Sequence, residues 1–176
     1  DFVSKFLVFA VFLLLIIEGT WSAFGLYADA SHWLCSILQT KTFLTWDPAR
    51  LYGMFIMQLP TVSAIILGVR DINLLIDIYS FSIIGIPLAF WILALLIHRK
   101  SDYFWFFVMG FSLAYLTTGF YPLGIHNVLY SMAALSAAIL FKATDRNLNH
   151  WDAVVLLVLA ILMTRSYAAM FFLGPA

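Results

Sequence analysis

The chain has 176 residues, of which 64% are hydrophobic and 10% are charged. A soluble globular domain is about a quarter charged, so this composition excludes an ordinary soluble protein and indicates an all-α, polytopic membrane protein. The nine basic and nine acidic residues balance without a basic block that would bind nucleic acid, and the single cysteine, Cys35, excludes an intrachain disulfide.

The first predicted span covers residues 3–26. At roughly 1.5 Å per residue this run is long enough to cross a hydrocarbon core of about 30 Å. Glu18 lies inside the run, and a carboxylate in hydrocarbon normally faces the bundle interior or a wet cavity. No cleavage site with a polar flank follows cleanly, so the pattern favours a retained anchor over a signal peptide.

A polar, turn-rich stretch follows the first span. Over residues 29–38 apolar side chains recur at helical spacing between polar ones, which predicts a short helix in the membrane interface. Asp47 and Pro48 predict a turn or the start of the next helix, with Asp47 as N-cap and Pro48 at the first helical position in the second case. The segment 51–69 is long enough to span but contains polar residues and Pro60, so its path is ambiguous.

Four further apolar runs predict spans over residues 72–97, 103–120, 128–141 and 153–173. The first of them ends in the basic stop His98-Arg99-Lys100, and a polar loop over 142–152 precedes the last. Arg165 lies well inside the last run, where an arginine is costly unless it is paired or wet.

The distribution of lysine and arginine decides the path of segment 51–69, because cytoplasmic loops carry an excess of these residues. If the segment spans and Lys5 is cytoplasmic, nearly all other basic loop residues fall outside, which is the wrong bias. If the segment lies along or dips into the outer face, the excess of lysine and arginine falls on the cytoplasmic side, as the rule requires. Lys5, Arg99, Lys100, Lys142 and Arg146 are then inside, and Lys41, Arg50 and Arg70 are outside.

The favoured topology is a single transmembrane domain over residues 1–176, with five spanning helices and interfacial helices in one external excursion over about residues 27–71. The order of its features resembles the N-terminal half of the GT-C superfamily, integral-membrane glycosyltransferases that use polyprenyl-phosphate sugars. The stretch Ala28-Asp29-Ala30-Ser31-His32-Trp33-Leu34 is similar to the acidic opening of that family's first external loop. Further similarities lie in Gln58-Leu59-Pro60, Gly68-Val69-Arg70, His98-Arg99-Lys100 and Thr164-Arg165-Ser166-Tyr167.

The resemblance implies a multi-pass protein of the bacterial inner membrane that transfers a sugar from a polyprenyl-phosphate donor on the extracytoplasmic face. It gives Asp29 the role of general base, which accepts the proton of the attacking hydroxyl. The donor phosphate needs cationic partners, and a guanidinium offers a planar fork to its oxygens. The expected substrate-binding residues are Arg50, Arg70, His126 and Arg165.

Several alternatives remain at this stage. Asp29 is equally suited to cap the interfacial helix, and Arg165 to form a buried ion pair with Glu18. No cofactor is implied, although Asp29, His32 and His126 are able to hold a divalent cation if the two external loops meet. Many GT-C members carry a second acid where Ala30 stands here. The alternative function is therefore a non-catalytic accessory subunit that packs against a larger membrane complex, which leaves enzyme activity open.

Overall fold

The computed structural model describes residues 2–27, 29–45, 47–118, 125–145 and 148–166, without the side chains at 29, 49, 116–118 and 145. Within these residues the protein is all-helical, with seven α-helices and no strand. Short 3-10 turns at Phe24–Leu26 and Pro48–Arg50 precede the second and third helices. The α-helices are α1 (Phe2–Trp21), α2 (Asp29–Thr40), α3 (Leu51–Ile66), α4 (Ile72–Ile97), α5 (Tyr103–Thr118), α6 (Ile125–Asp145) and α7 (His150–Thr164).

Three helices in the described part of the chain are long and apolar enough to cross a membrane, namely α1, α4 and α6. The apolar helices α3, α5 and α7 are shorter over the residues described. Three candidate spans indicate a membrane protein, and the outward faces agree with this. Leu7 and Leu14 of α1, for example, are more than half exposed, as expected for side chains that face lipid.

The centre of the bundle is α4, which packs against α6, α1 and α3. Helix α1 runs antiparallel to it: Gly19 lies against Ile84, and Lys5 Nζ donates to the carbonyl oxygen of Arg99 at 3.1 Å. Lys5 Nζ also lies 5.4 Å from the ring centroid of Phe104 at the start of α5. The start of α1, the end of α4 and the start of α5 therefore share one end of the bundle.

Lys142 joins the same end, where it lines a groove together with Arg99 and Lys100. We call this the basic end, defined by Lys5, Arg99, Lys100 and Lys142. Lys142 Nζ donates to both carboxylate oxygens of Asp152 at 2.9 and 2.8 Å, so α7 begins where α6 ends. Of the five basic residues predicted to share one side, these four lie at one end of the bundle, and Arg146 lies outside the described residues.

At the other end, the first turn of α3 meets the start of α6 and the end of α7. Tyr52 N donates to the carbonyl oxygen of Arg165 at 3.1 Å, and Gly53 lies against Ile125 and Ser166. We call this the α3 end. Helices α6 and α7 run between the two ends.

Of the two alternatives for Asp47 and Pro48, the structure shows the turn, and helix α3 begins at Leu51. Arg50 N donates to the carbonyl oxygen of Asp47 at 3.1 Å, so Asp47 and Pro48 start a 3-10 turn and Arg50 occupies the N-cap position. Gly68 follows the end of α3 and adopts a φ of 91°. Gly68 N donates to the carbonyl oxygen of Ile65, and Val69 N donates to that of Ala64, as in a Schellman motif.

Helix α4 follows after a short connection. The Asp71 carboxylate caps its start by accepting from Asn73 N at 2.9 Å and from Leu74 N at 3.5 Å. Helices α3 and α4 therefore form an antiparallel hairpin.

Candidate functional site

Arg50 lies where α3 begins, and its guanidinium is already engaged. Its Nε lies 3.1 Å from Asp47 Oδ2, and the two side chains are 44% and 40% exposed. An ion pair this open contributes little to stability, because water competes for both partners. It does hold the guanidinium beside the start of α6. Asp47 was not among the predicted site residues, although its place three residues before Arg50 is visible in the sequence.

His126 is the second residue of α6 and is half-buried. Its imidazole lies within the electrostatic influence of Arg50 and stacks on the ring of Tyr130 at 6.3 Å. The structure thus brings together two predicted site residues that are far apart in the sequence.

Arg165 also reaches the α3 end, through its backbone at the end of α7. Helix α7 ends at Thr164, and Arg165 is its C-cap. Its carbonyl oxygen accepts from Tyr52 N, and its side chain is exposed. The next residue, Ser166, is fully buried against Gly53. The chain turns here because Arg165 N and Ser166 N both donate to Met163 O.

The other two predicted residues are not brought into this group. Arg70 is exposed in the connection between α3 and α4, so the whole of α3, about 24 Å long, separates it from Arg50. Asp29 begins α2, and its side chain lies outside the described part of the structure. Its predicted role as a base therefore stays a prediction.

Two of the alternatives concern an ion pair between Glu18 and Arg165 and a metal site that includes Asp29. Glu18 is exposed and lies within the electrostatic influence of Tyr115, and neither described ion pair joins it to Arg165. Among the described side chains, no three histidine, cysteine, aspartate or glutamate residues come close enough to hold a metal. The Asp29 carboxylate, which the sequence offers as a third ligand to His32 and His126, lies outside that set.

A buried polar pair on α3 was not predicted. Gln58 is 1% exposed, and its Oε1 accepts from Leu44 N at 2.8 Å, which ties the loop after α2 to α3. Gln58 Nε2 and Thr61 Oγ1 find no partner among the described residues. A glutamine two residues before Pro60 in an apolar helix is the sequence signal for this feature.

Electrostatically, the α3 end brings the Arg50 guanidinium near the His126 imidazole, and the Arg165 backbone joins the same end through Tyr52. Guanidinium groups bind phosphate oxygens with paired hydrogen bonds, and a neutral imidazole adds one donor. The arrangement is therefore suited to an anionic ligand.

The described residues define an all-helical membrane protein. No protein-family model matches the chain, and neither the curated proteins nor the solved structures include one that matches it significantly. The function is inferred from the geometry and from the resemblance in sequence order alone.

Proposed function

We propose that the chain is a five-span membrane protein whose α3 end binds the phosphate of a polyprenyl-phosphate sugar donor and supports transfer of that sugar. The observation that carries this proposal is the meeting of Arg50, His126 and Arg165 at one end of the bundle. The positive charge of the two arginines and the hydrogen-bond donors of all three residues suit a phosphate at a membrane surface, where a polyprenyl tail extends into the lipid.

The five-span topology is supported by α1, α4 and α6, which are long and apolar enough to span, and by the shorter apolar helices α5 and α7 that pack beside them. Helices α5 and α7 have 16 and 15 described residues, which correspond to roughly 24 and 22 Å, and both pair with longer neighbours. The basic end is cytoplasmic under the positive-inside rule, which makes the α3 end extracytoplasmic. A bacterial inner membrane fits both this orientation and the donor.

In the proposed reaction, a hydroxyl oxygen of the acceptor attacks the anomeric carbon of the sugar. The bond from that carbon to the phosphate oxygen breaks, and polyprenyl phosphate leaves with the electron pair. The Asp29 carboxylate accepts the hydroxyl proton as the new bond forms. Arg50 and Arg165 stabilise the negative charge that develops on the leaving phosphate.

Binding of a polyprenyl phosphate to the purified protein in lipid nanodiscs tests the proposal. We expect Arg50→Gln and Arg165→Gln each to weaken binding roughly tenfold, because each removes a charge-assisted hydrogen bond to phosphate. Arg70→Gln is the matched control, since it removes the same charge about 24 Å away. Equal effects of all three substitutions would contradict the site.

Sugar transfer is a separate test. Asp29→Asn should retain donor binding and abolish transfer to an acceptor alcohol, because an amide cannot take up the proton. A variant that still transfers at the wild-type rate would remove Asp29 from the mechanism while leaving the binding site intact.

The accessory-subunit alternative is favoured by one observation, the exposed apolar tip of the α3–α4 hairpin. Ile66, Leu67 and Ile72 are 73%, 83% and 57% exposed around the connection that carries Arg70. Such a tip suits burial against a neighbouring protein. Under this alternative, a photo-cross-linker at Leu67 traps one protein of defined mass in native membranes, and purified chain shows neither donor binding nor transfer.

A further inference from the structure

The basic end contains a groove between the end of α4 and the end of α6, with a volume of about 310 Å³. Arg99, Lys100 and Lys142 line it together with Ser101, and Leu96 and Ile97 form its apolar part. We infer that this groove binds the phosphodiester head group of an anionic phospholipid. The site lies at the opposite end of the bundle from the proposed donor site and does not depend on it.

Two of the three positive charges that line the groove, those of Arg99 and Lys100, remain available for a ligand. Lys142 is paired with Asp152 at 2.8 Å, so these two groups neutralise each other. Arg99 and Lys100 are both exposed, and neither forms an ion pair with a described acidic residue. Asp102 is the acidic residue next to them in the loop, and it is exposed. Arg99 and Lys100 therefore leave the groove electropositive.

The base of the groove is rigid. His98 is 3% exposed, and its Nε2 lies 2.8 Å from the carbonyl oxygen of Ala138 in α6. Its Nδ1 lies 3.1 Å from Ser101 Oγ in the loop that follows α4. On the other side, Lys5 Nζ donates to the Arg99 carbonyl. These hydrogen bonds hold the backbone that carries Arg99 and Lys100. Ligand binding therefore has to order little besides their side chains.

The neighbourhood of the groove selects a lipid over a free anion. Leu93 and Leu96 lie one turn apart on α4 and are 47% and 43% exposed, on the stretch that leads from the bundle to the groove. Leu140 of α6 is 54% exposed on the other side. Acyl chains that follow these residues place a head group beside Arg99 and Lys100. Basic pockets between transmembrane helices on the cytoplasmic side bind anionic head groups in this way.

The test uses the full chain in nanodiscs of phosphatidylcholine, titrated with phosphatidylglycerol and followed by native mass spectrometry of the retained lipid. We expect selective retention of phosphatidylglycerol. The double substitution Arg99→Gln with Lys100→Gln should weaken its binding roughly tenfold to thirtyfold, because each charge near the membrane contributes about fivefold. The matched control, Lys41→Gln with Arg70→Gln, removes two exposed charges that do not line the groove and should leave binding within about twofold.

Two further arms separate the sources of phosphate. Inorganic phosphate and glycerol 3-phosphate at millimolar concentration should not displace the lipid, and displacement by either would overturn a lipid site in favour of a soluble anion. Equal loss in the double variant and its control would show that only net charge matters, which also overturns the proposal. If the double variant fails to fold, the wild-type protein still tests the proposal. Equal retention of phosphatidylcholine and phosphatidylglycerol by the wild type would overturn it.

Discussion

The imidazole Nε2 of His98 in α4 lies 2.8 Å from the carbonyl oxygen of Ala138 in α6. A carbonyl only accepts, so Nε2 carries the proton, and Nδ1 accepts from the Ser101 hydroxyl at 3.1 Å. The ring also stacks on Phe107 of α5 with centroids 5.3 Å apart. One buried side chain therefore joins α4, α5 and α6 at the basic end.

Substitution of His98 by Phe should destabilise the protein by about 1–3 kcal/mol, because it removes two buried hydrogen bonds but keeps the ring against Phe107. Thermal unfolding in detergent, compared with wild type, measures the effect. Ser101→Ala removes only the Nδ1 contact and should have less than half the effect. An unchanged melting temperature for His98→Phe would show that the ring acts by packing alone.

The outer bounds of several helices could be predicted from local sequence. Helix α4 covers Ile72–Ile97 as expected, because an aspartate precedes it and basic residues follow it. The first span ends earlier than predicted: Ala23 adopts a left-handed φ of 51°, and Gly25 N then donates to Ser80 Oγ at 3.0 Å. A contact across 55 residues leaves no local signal.

The start of α7 shows the opposite situation, because its signal was present in the sequence. Asn149 and Asp152 form a capping box. Asp152 N donates to Asn149 Oδ1 at 2.8 Å, and Asn149 N donates to Asp152 Oδ2 at 3.0 Å. The predicted loop over residues 142–152 instead contains the end of α6 and the first turn of α7.

The candidate site was predicted only as a set of residue types. Arginine and histidine in external segments indicated an anion ligand. Whether Arg50 or Arg70 approaches His126 depends on the direction of α3, since they lie at opposite ends of that helix. That direction follows from the packing of Gly53 against Ile125 and Ser166, which no single segment encodes.

Gly25 should be intolerant of a side chain. A Cβ there lies 2.8 Å from Tyr79 Cδ1 and 3.1 Å from the backbone N of Ser80, and backbone cannot move aside cheaply. We expect Gly25→Ala to cost about 1–3 kcal/mol of unfolding free energy. Gly110→Ala is the control, because its Cβ meets nothing nearer than Trp91 at 3.7 Å and alanine favours the helix. Thermal unfolding that ranks the two variants in the reverse order would refute this packing.

Thr61 offers a stabilising substitution. Its side chain is fully buried, and its hydroxyl has no partner among the described residues. Thr61→Val keeps the shape and should raise the free energy of unfolding by about 1 kcal/mol, since an unsatisfied polar atom is removed. Thr20→Val should not, because Thr20 Oγ1 already donates to Ile16 O at 2.8 Å. Chemical denaturation in detergent compares the two, and a destabilised Thr61→Val protein would indicate an unseen partner for the hydroxyl.

The Lys142–Asp152 pair should make stability depend on pH. The Lys142 hydrogen bond is the main cause that holds the pKa of the Asp152 carboxyl below its ordinary value. Because the folded-state pKa is the lower one, the stabilisation is complete above the ordinary carboxyl pKa and is lost as the pH falls through the folded value. Asp152→Asn, which keeps an oxygen for the Asn149 cap, should therefore melt below wild type at pH 7. The difference should shrink as the pH falls below the ordinary carboxyl pKa of about 3.9, because wild-type Asp152 then also becomes neutral. Lys142→Met should show the same convergence, and the double variant should be no less stable than either single one. A difference in melting temperature that stays constant with pH would assign the effect to packing instead of charge.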